Sequence, residues 1–435
     1  MSDFIDELKW RGLFSQATDE GGLRAHLAGG VRRAYVGFDP TADSLTIGNL
    51  VPLMLLVHFQ RAGHAPVVVV GGGTGLIGDP SGKSAERQLQ TREVVDANVR
   101  GQMRVYERFL DFSPETCNRA TITNNADWLC KLGFIEALRD IGKFFSVNAM
   151  IQKDSVRERL TNRDQGISFT EFSYQVLQSY DFLYLFEERG VTVQMGGSDQ
   201  WGNITAGCDL IRKSRALKGG GEPAEHTFGL TAPLLLKADG GKFGKSEAGA
   251  VWATADRTSP FAYYQFWLNS DDADVVKFLK IFTLLSREEI GALESAHARE
   301  PGQREAHRTL AREATTLLHG AAEAANAEGA AKALFSGEVA GLTEAVLNEV
   351  FANVPASEHP KEQLQGAGVA LADLLTTTKL AQSKREAKEF LSAGSVMVNG
   401  RRAGAEDRLT GSDLLHASMI ALRRGKKNWH LTRWK

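Results

Sequence analysis

Val67 to Ser84 reads VVVVGGGTGLIGDPSGKS, an apolar run feeding straight into glycines, and two kinds of phosphate chemistry compete for it. Gly73, Gly75 and Gly78 match the G-x-G-x-x-G spacing by which a strand-to-helix turn brings backbone N–H groups to a dinucleotide pyrophosphate. GDPSGKS, from Gly78 to Ser84, is similar to a Walker A loop but has three residues between its glycines where that loop needs four. Glu93 and Asp96 stand about twenty residues further on, where the ribose-binding acid of a dinucleotide site belongs. Pro80 and Ser81 argue the other way, because the fingerprint opens a helix there and uses its N-terminal dipole. Taken alone, the pattern is a set of glycines turning the chain tightly.

Two further stretches carry polar groups at regular spacing. In SFTEFSYQVLQSYDF (168–182), Ser168 and Glu171 form a box that starts a helix, after which Tyr174, Gln178 and Asp181 share one helical face. Phe172, Leu177 and Phe182 flank that stripe, which predicts a polar face lining a buried pocket. In KFGKS (242–246), Lys242 and Lys245 lie three apart around a glycine; by themselves they are an ordinary surface pair.

These side chains need a scaffold, and the surrounding pattern predicts a parallel α/β sheet. AYVGFDP reads as a strand, TIGNLVPLMLLVHFQRAG as a helix stopped by Gly63, and APVVVV as a second strand. VTVQMGG and TAPLLL read as further strands, the latter followed by an Asp-Gly-Gly turn. Ligands of such a sheet bind beyond the carboxyl ends of its strands, which puts Gly37 to Thr41 and Gly71 to Asp79 on one edge. From about 255 to 350 the chain is rich in Ala, Glu and Leu at helical spacing, and NVPASEHPKEQLQGAG reads as a linker.

With 435 residues, 43% hydrophobic and 24% charged, the chain has the composition of an ordinary globular protein with two or three domains. Its apolar runs are strand-sized, which excludes a bilayer-spanning helix. The acidic start, MSDFIDELKWRG, is neither a secretory signal nor a typical transit peptide, and three scattered cysteines point to a reducing, cytoplasmic setting without disulfides or structural zinc. The total charge of −2 conceals a basic end: Gly368 to Lys435 holds thirteen Lys/Arg against six Asp/Glu, leaving −9 for the rest. A basic tail on an acidic body suits a polyanionic partner.

Five stretches occur in order: YVGFDPTADSLTIGNL (35–50), GGTGLIGDPSGKSAER (72–87), SFTEFSYQVLQSYDF (168–182), QMGGSDQWGNI (194–204) and KFGKS (242–246). Together they resemble the bacterial tyrosyl-tRNA synthetases, class I aminoacyl-tRNA synthetases, and the resemblance runs over essentially the whole chain. It implies a Rossmann-like parallel-sheet catalytic domain over 1–246, an α-helical domain over 247–352, a linker over 353–367 and a small α+β RNA-binding domain over 368–435. It implies formation of tyrosyl-adenylate from L-tyrosine and ATP with Mg2+ on the phosphates, transfer of tyrosine to tRNA(Tyr), a homodimer, and no tightly bound cofactor or metal.

By the same resemblance, Tyr35 and Asp181 hold the substrate phenol, and Tyr174, Gln178 and Asp79 hold its ammonium group. Gln200 lies near the substrate carboxylate, and Asn125 joins the pocket, although Asn124 matches equally well. Gly37, Asp39, Gly48, Gly197, Asp199 and Ser246 belong to the ATP site. Thr41, Lys83, Arg87, Lys242 and Lys245 act on the phosphates and the pyrophosphate leaving group. TIGN departs from the family's HIGH motif: Thr46 and Asn49 stand where histidines are usual, and each keeps a hydrogen-bond donor. Loss of such a donor costs about 3 kcal/mol of transition-state stabilisation.

The tail resembles a compact RNA-binding module of a ribosomal small-subunit protein. LADLLTTTKLAQSKREAKEFLSAGSVMVNGRR (371–402) reads as two helices and a strand ending in an Asn-Gly turn. Lys384, Arg385, Lys388, Arg401, Arg402, Arg423 and Arg424 are its expected tRNA contacts, with Trp429 either stacking on a base or packing inward. Ending the chain near Gly366 is therefore expected to spare adenylate formation and to impair charging. Two rival readings remain: an RNA-binding protein with weakened catalysis, motivated by Thr46 and Asn49, and a dinucleotide-dependent oxidoreductase, motivated by Gly73 to Gly78.

Overall fold

The computed structural model describes residues 3–81, 89–153, 156–157, 167–218, 226–236, 238, 243–246, 249–352, 354–425 and 428–435. The chain forms two compact units, Met1–Ser259 with Phe266–His319, and Pro260–Gln265 with Gly320–Lys435.

The first unit is built on a six-stranded sheet: β1 (Gln16–Ala17), β2 (Arg33–Phe38), β3 (Ala65–Val70), β4 (Thr121–Asn124), β5 (Val191–Gly197) and β6 (Phe228–Ala232), in the spatial order β1-β6-β5-β2-β3-β4. All neighbours are parallel except β1, which runs antiparallel to β6 at the edge. VVVV in β3 is buried throughout, as expected of a parallel strand covered on both faces. Helices α2 (Leu50–Arg61), α3 (Arg92–Phe109), α4 (Phe169–Arg189) and α5 (Trp201–Leu217) follow four of these strands. Ser168 caps α4 by accepting the Glu171 N–H at 3.2 Å, as its sequence predicts. One strand lies elsewhere than expected. β6 is FGLTA, ending at Ala232 before Pro233, whose missing N–H cannot join a ladder; Leu234 and Leu236 of the expected strand are exposed.

Residues 266–319 pack within this first unit. The buried Arg11, at the end of α1 (Phe4–Arg11), donates to the carbonyl oxygens of Lys280, Thr283 and Leu285 at 2.7–2.8 Å, and so ties α1 to the end of α6 (Val275–Phe282). Its Nε also donates to Glu7 at 2.7 Å. Arg11→Met leaves three carbonyls without that donor and is expected to cost about 3 kcal/mol in urea unfolding. A loss below about 1 kcal/mol would show that solvent replaces the guanidinium.

The second unit holds a five-stranded sheet of β7 (Ala356–His359), β8 (Val396–Val398), β9 (Arg401–Arg402), β10 (Met419–Arg424) and β11 (Asn428–Trp434), in the order β9-β8-β10-β11-β7. Asn399 and Gly400 turn β8 into β9 with φ of 50° and 94°, the positive-φ pair that an Asn-Gly hairpin requires. Met419 to Leu422 are all buried because both faces are covered. Ile420 and Leu422 meet Leu371, Leu375 and Leu391 of α9 (Leu371–Thr377) and α10 (Lys384–Ser392), while Met419 and Ala421 meet Val339, Leu347 and Phe351.

Two expected boundaries change as a result. The segment 353–367, expected to be a linker, supplies β7, which pairs parallel with β11 from Ala356 to His359. The helical region expected over 247–352 is divided between the units, because residues 320–352 cover the second face of the tail sheet.

Candidate active site

The parallel strands of the first unit deliver their following residues to one edge. β2 leads into Asp39, β3 into Gly71 to Asp79, β4 into Asn125, and β5 into Asp199 and Gln200. Gly71 lets the turn after β3 approach Asp39, which follows the neighbouring β2: an added Cβ would lie 2.3 Å from Asp39 Oδ1. The glycine run then forms a single 3-10 turn, Thr74–Leu76. The N–H groups of Gly73 and Thr74 donate to Asn125 Oδ1 at 2.7 and 3.4 Å. These donors are spent inside the protein, which removes the basis of the dinucleotide reading.

α4 turns its polar face to this edge. Asp181 is buried and accepts from Trp128 Nε1 at 2.7 Å and from Asn125 Nδ2 at 2.9 Å. Burial pushes its carboxyl up to about 7, against the pull of those two donors, and Asp39 adds to the rise. Tyr35, on β2, packs its ring 5.5 Å from Phe182, and its hydroxyl is buried without a hydrogen-bond partner among the described residues. Burial and the nearby Asp181 hold that phenol well above its ordinary range, so it is a neutral O–H at neutral pH. A buried orphan hydroxyl beside a buried carboxylate is a site shaped for a ligand that both donates and accepts.

Hydrogen bonds lead from this end toward the strand edge. Asn125 Nδ2 also donates to Thr74 Oγ1 at 2.9 Å, Thr74 Oγ1 donates to Asp39 Oδ1 at 2.8 Å, and Tyr174 donates to Asp39 Oδ2 at 3.0 Å. A second group joins Asp79 to Gln200 at 2.6 Å, with Asn203 donating to Gln178 at 3.0 Å and to Gln200 at 3.3 Å. Burial holds the Tyr174 phenol well above its ordinary range, and Asp39, which accepts its hydrogen, and Asp79 add to the rise. Asn125, not Asn124, reaches Asp181; Asn124 Oδ1 instead accepts the Ala126 N–H. Thr74, Trp128 and Asn203 belong to the site but were not singled out in the sequence. Trp128 and Asn203 lie outside any regular polar pattern, and Thr74 is hidden among glycines.

The TIGN turn lies against the lysine loop. The Ile47 N–H donates to Val251 O at 3.1 Å, and the Val251 N–H donates to Gly244 O at 3.0 Å. Phe243 sits among Phe266, Trp267, Phe278 and Phe282 with ring centroids 5.1–6.0 Å away. Lys245 and Ser246 are described only in backbone, as one side of a two-residue hairpin, while Lys83, Arg87 and Lys242 lie outside the described residues. The Thr46 hydroxyl and N–H both donate to Asn49 Oδ1, at 2.8 and 3.1 Å. The two bonds fix the Asn49 amide by its oxygen, which leaves its NH2 group as the donor of this turn. Thr41 and Asp199 are exposed, Gly37 has open space above it, and an added Cβ at Gly48 would lie 3.7 Å from Thr46 Oγ1. At Gly197 an added Cβ would meet Asp199 at 2.4 Å. Asp39, expected at ATP, is bound into the Tyr174 network.

Residues 29–336 match the family described as tRNA synthetases class I (W and Y), and residues 347–432 match the tyrosine–tRNA ligase SYY-like C-terminal domain. A "Tyrosine--tRNA ligase 2" of Enterococcus faecalis is 48% identical over all of both chains, and a "Tyrosine--tRNA ligase" of Geobacillus kaustophilus is 49% identical over 99% of this chain and all of its own. The chain belongs to the tyrosine–tRNA ligases. A C-terminally truncated mitochondrial tyrosyl-tRNA synthetase of Coccidioides posadasii superposes with a TM-score of 0.67 at 32% identity, covering 76% of this chain and 92% of its own.

The C-terminal domain that this chain shares with other tyrosine–tRNA ligases presents only part of the expected basic set. Lys384, Arg385, Lys388, Arg401 and Arg402 are exposed. Three of them pair with acids, Lys384 with Asp373, Arg385 with Glu389 and Arg401 with Asp407, at 2.6–3.1 Å. Arg423 is a correction: it is buried, donates to the carbonyls of Phe335 and Ser336, and lies 5.1 Å over the half-buried Trp429 ring. Arg424 is half-buried, with Nη1 on Leu380 O at 2.7 Å and its guanidinium over Phe390. Both arginines serve the fold of the tail, since β10 is covered on each face.

Proposed function

We propose that this tyrosine–tRNA ligase joins L-tyrosine to ATP as tyrosyl-adenylate and then moves the tyrosyl group to the 3′ end of tRNA(Tyr). The carrying observation is the orphaned Tyr35 hydroxyl beside Asp181. A substrate phenol placed between them donates to the carboxylate and accepts from Tyr35. Asp79, Tyr174 and Gln178, further along the same edge, suit an ammonium group. That orientation carries the substrate carboxylate toward Gln200 and the nucleotide.

In the first step a carboxylate oxygen of tyrosine forms a bond to the α-phosphorus as the α–β bridge breaks, and its electron pair leaves with pyrophosphate. Catalysis is positioning plus charge stabilisation. Thr41, Lys83, Arg87, Lys242 and Lys245 supply the positive charge and donors, to which Mg2+ on the nucleotide would add further charge neutralisation, and the Asn49 amide faces the nucleotide with Thr46 holding it. In the second step a ribose hydroxyl at the end of the tRNA attacks the tyrosyl carbonyl and AMP departs. Lysines that engage as charge develops raise the rate without over-binding ATP.

Tyrosine-dependent exchange of labelled pyrophosphate into ATP, run against several amino acids, tests the reading. Exchange with tyrosine alone is the expected result. Binding of tRNA(Tyr) with no exchange would favour instead the weakened synthetase motivated by Thr46.

The site also predicts a pH dependence. Ionised Asp181 is the stronger acceptor, so tyrosine affinity is expected to fall as pH drops through about 7. Trp128→Phe removes a donor that lowers this carboxyl, and the fall should move to higher pH. Tyrosine KM against pH measures it; a profile unmoved by the substitution would dissociate the limb from Asp181.

We infer a homodimer from the apolar surface of the first unit. Phe134, Ile135, Leu138, Val147 and Ile151 are all 40–73% exposed within eighteen residues of chain. Such a concentration marks an association surface. Among the described residues no helix is long and apolar enough to cross a membrane; a cytoplasmic location accords with the three free cysteines.

A further inference from the structure

Away from the nucleotide edge, Asp272, His297 on α7 (Arg287–Arg299) and His307 on α8 (Glu305–His319) each bring a donor atom within 4.8 Å of the others. His297 Nε2 faces the backbone oxygen of Asp272 at 3.2 Å, and His307 Nε2 faces that of Ser270 at 3.1 Å. A carbonyl oxygen only accepts, so each Nε2 carries the hydrogen and each neutral ring keeps a lone pair on Nδ1. Both Nδ1 atoms are buried, and neither has a hydrogen-bond partner among the described residues. The two rings are 5.4 Å apart, and His307 as a whole is fully buried.

Two buried lone pairs without donors are costly. A Lewis acid satisfies them without a proton. Imidazoles that bind metal characteristically hold their other N–H on a backbone carbonyl, the arrangement found on both rings here. Asp272 adds the negative charge: its Oδ1 lies 3.2 Å from His307 Nε2, and its side chain is 57% exposed. Nothing in the tyrosine–tRNA ligase chemistry uses these three residues.

We propose that Asp272, His297 and His307 bind one divalent cation of the zinc class, through one ring nitrogen of each histidine and a carboxylate oxygen, with water in the fourth position. Bonds of about 2.0–2.1 Å around a tetrahedral ion put neighbouring donors about 3.3 Å apart. The present spread therefore contracts on binding, and the exposed Asp272 is the group with room to travel. Arg304, whose Nη1 is 3.6 Å from Asp272 Oδ1, is the competing cation and turns away. The ion would pin together α7, α8 and the loop that precedes α6, a structural staple with no part in catalysis.

Zinc chloride titrated into the full chain by calorimetry tests this, with thermal unfolding as a second readout. One saturable zinc per chain and a raised Tm are expected. His297→Gln and Asp272→Asn should each weaken binding at least about tenfold and abolish the Tm shift while leaving pyrophosphate exchange unchanged. Arg304→Gln should tighten it. Neither His297 nor Asp272 is a core residue, so these variants remain informative even if His307→Gln fails to fold. Absence of saturable binding, or binding of equal strength in both variants, overturns the proposal.

Discussion

Asp181→Asn is expected to lower kcat/KM for tyrosine in pyrophosphate exchange by about 10³-fold while leaving the poor rate with phenylalanine nearly unchanged. The carboxylate accepts from two fixed donors, Trp128 Nε1 and Asn125 Nδ2. An amide has one oxygen, so its NH2 group must turn either on one of those donors or on the substrate hydroxyl. Sites that hydrogen-bond a substrate hydroxyl reject the analogue lacking it by about 10⁴–10⁵, the upper figure coming from this enzyme family itself. Most of that discrimination should vanish with Asp181. Tyr35→Phe removes a neutral hydrogen bond and is expected to cost only about tenfold. Equal losses for tyrosine and phenylalanine in Asp181→Asn would mean that the residue supports the fold of the pocket instead of reading the hydroxyl.

Ending the chain after His319 is expected to keep tyrosine-dependent exchange within about twofold of the full chain, and to lower charging of limiting tRNA(Tyr) by at least about 100-fold. The exposed basic residues Lys384, Arg385, Lys388, Arg401 and Arg402 all go with that cut. Phosphate contacts dominate nucleic-acid affinity, and losing several compounds steeply. The position of the cut matters. Ending near Gly366 would leave β7 without its partner β11 and would uncover Leu347 and Phe351, which the tail sheet buries. A fragment of that kind invites aggregation by its unpaired strand and bare apolar face. If the His319 truncation charges tRNA normally, the basic surface of the tail has no role in presenting the acceptor end.

Much of this architecture is written in short-range pattern. The strands ending at Phe38, Val70 and Gly197 announce themselves as apolar runs stopped by glycine or proline, and Ser168 marks the start of α4. The Asn399–Gly400 turn is legible from two residues, because few pairs tolerate positive φ at both positions. Tyr174, Gln178 and Asp181 share a face because helical periodicity alone requires it. The strand expected at TAPLLL ends at Ala232, since Pro233 bars the ladder just where the apolar run begins.

What folding alone decided is which of these pieces meet. Trp128 and Asp181 are 53 residues apart in sequence, and Thr74 and Asn125 are 51 apart. Their contacts exist because β3 and β4 pair in parallel and deliver both following turns to one edge, an outcome of sheet order that no window of sequence contains. Arg423 looks like an RNA contact in a basic run, yet β10 is covered on both faces and the guanidinium is drawn onto backbone carbonyls. An expected linker became β7 because β11 leaves an edge for it to pair with. Local dihedral preference and spacing specify elements, whereas partners are chosen by which apolar faces close on one another. The charge state of Asp181 likewise follows from the depth at which that closure leaves it.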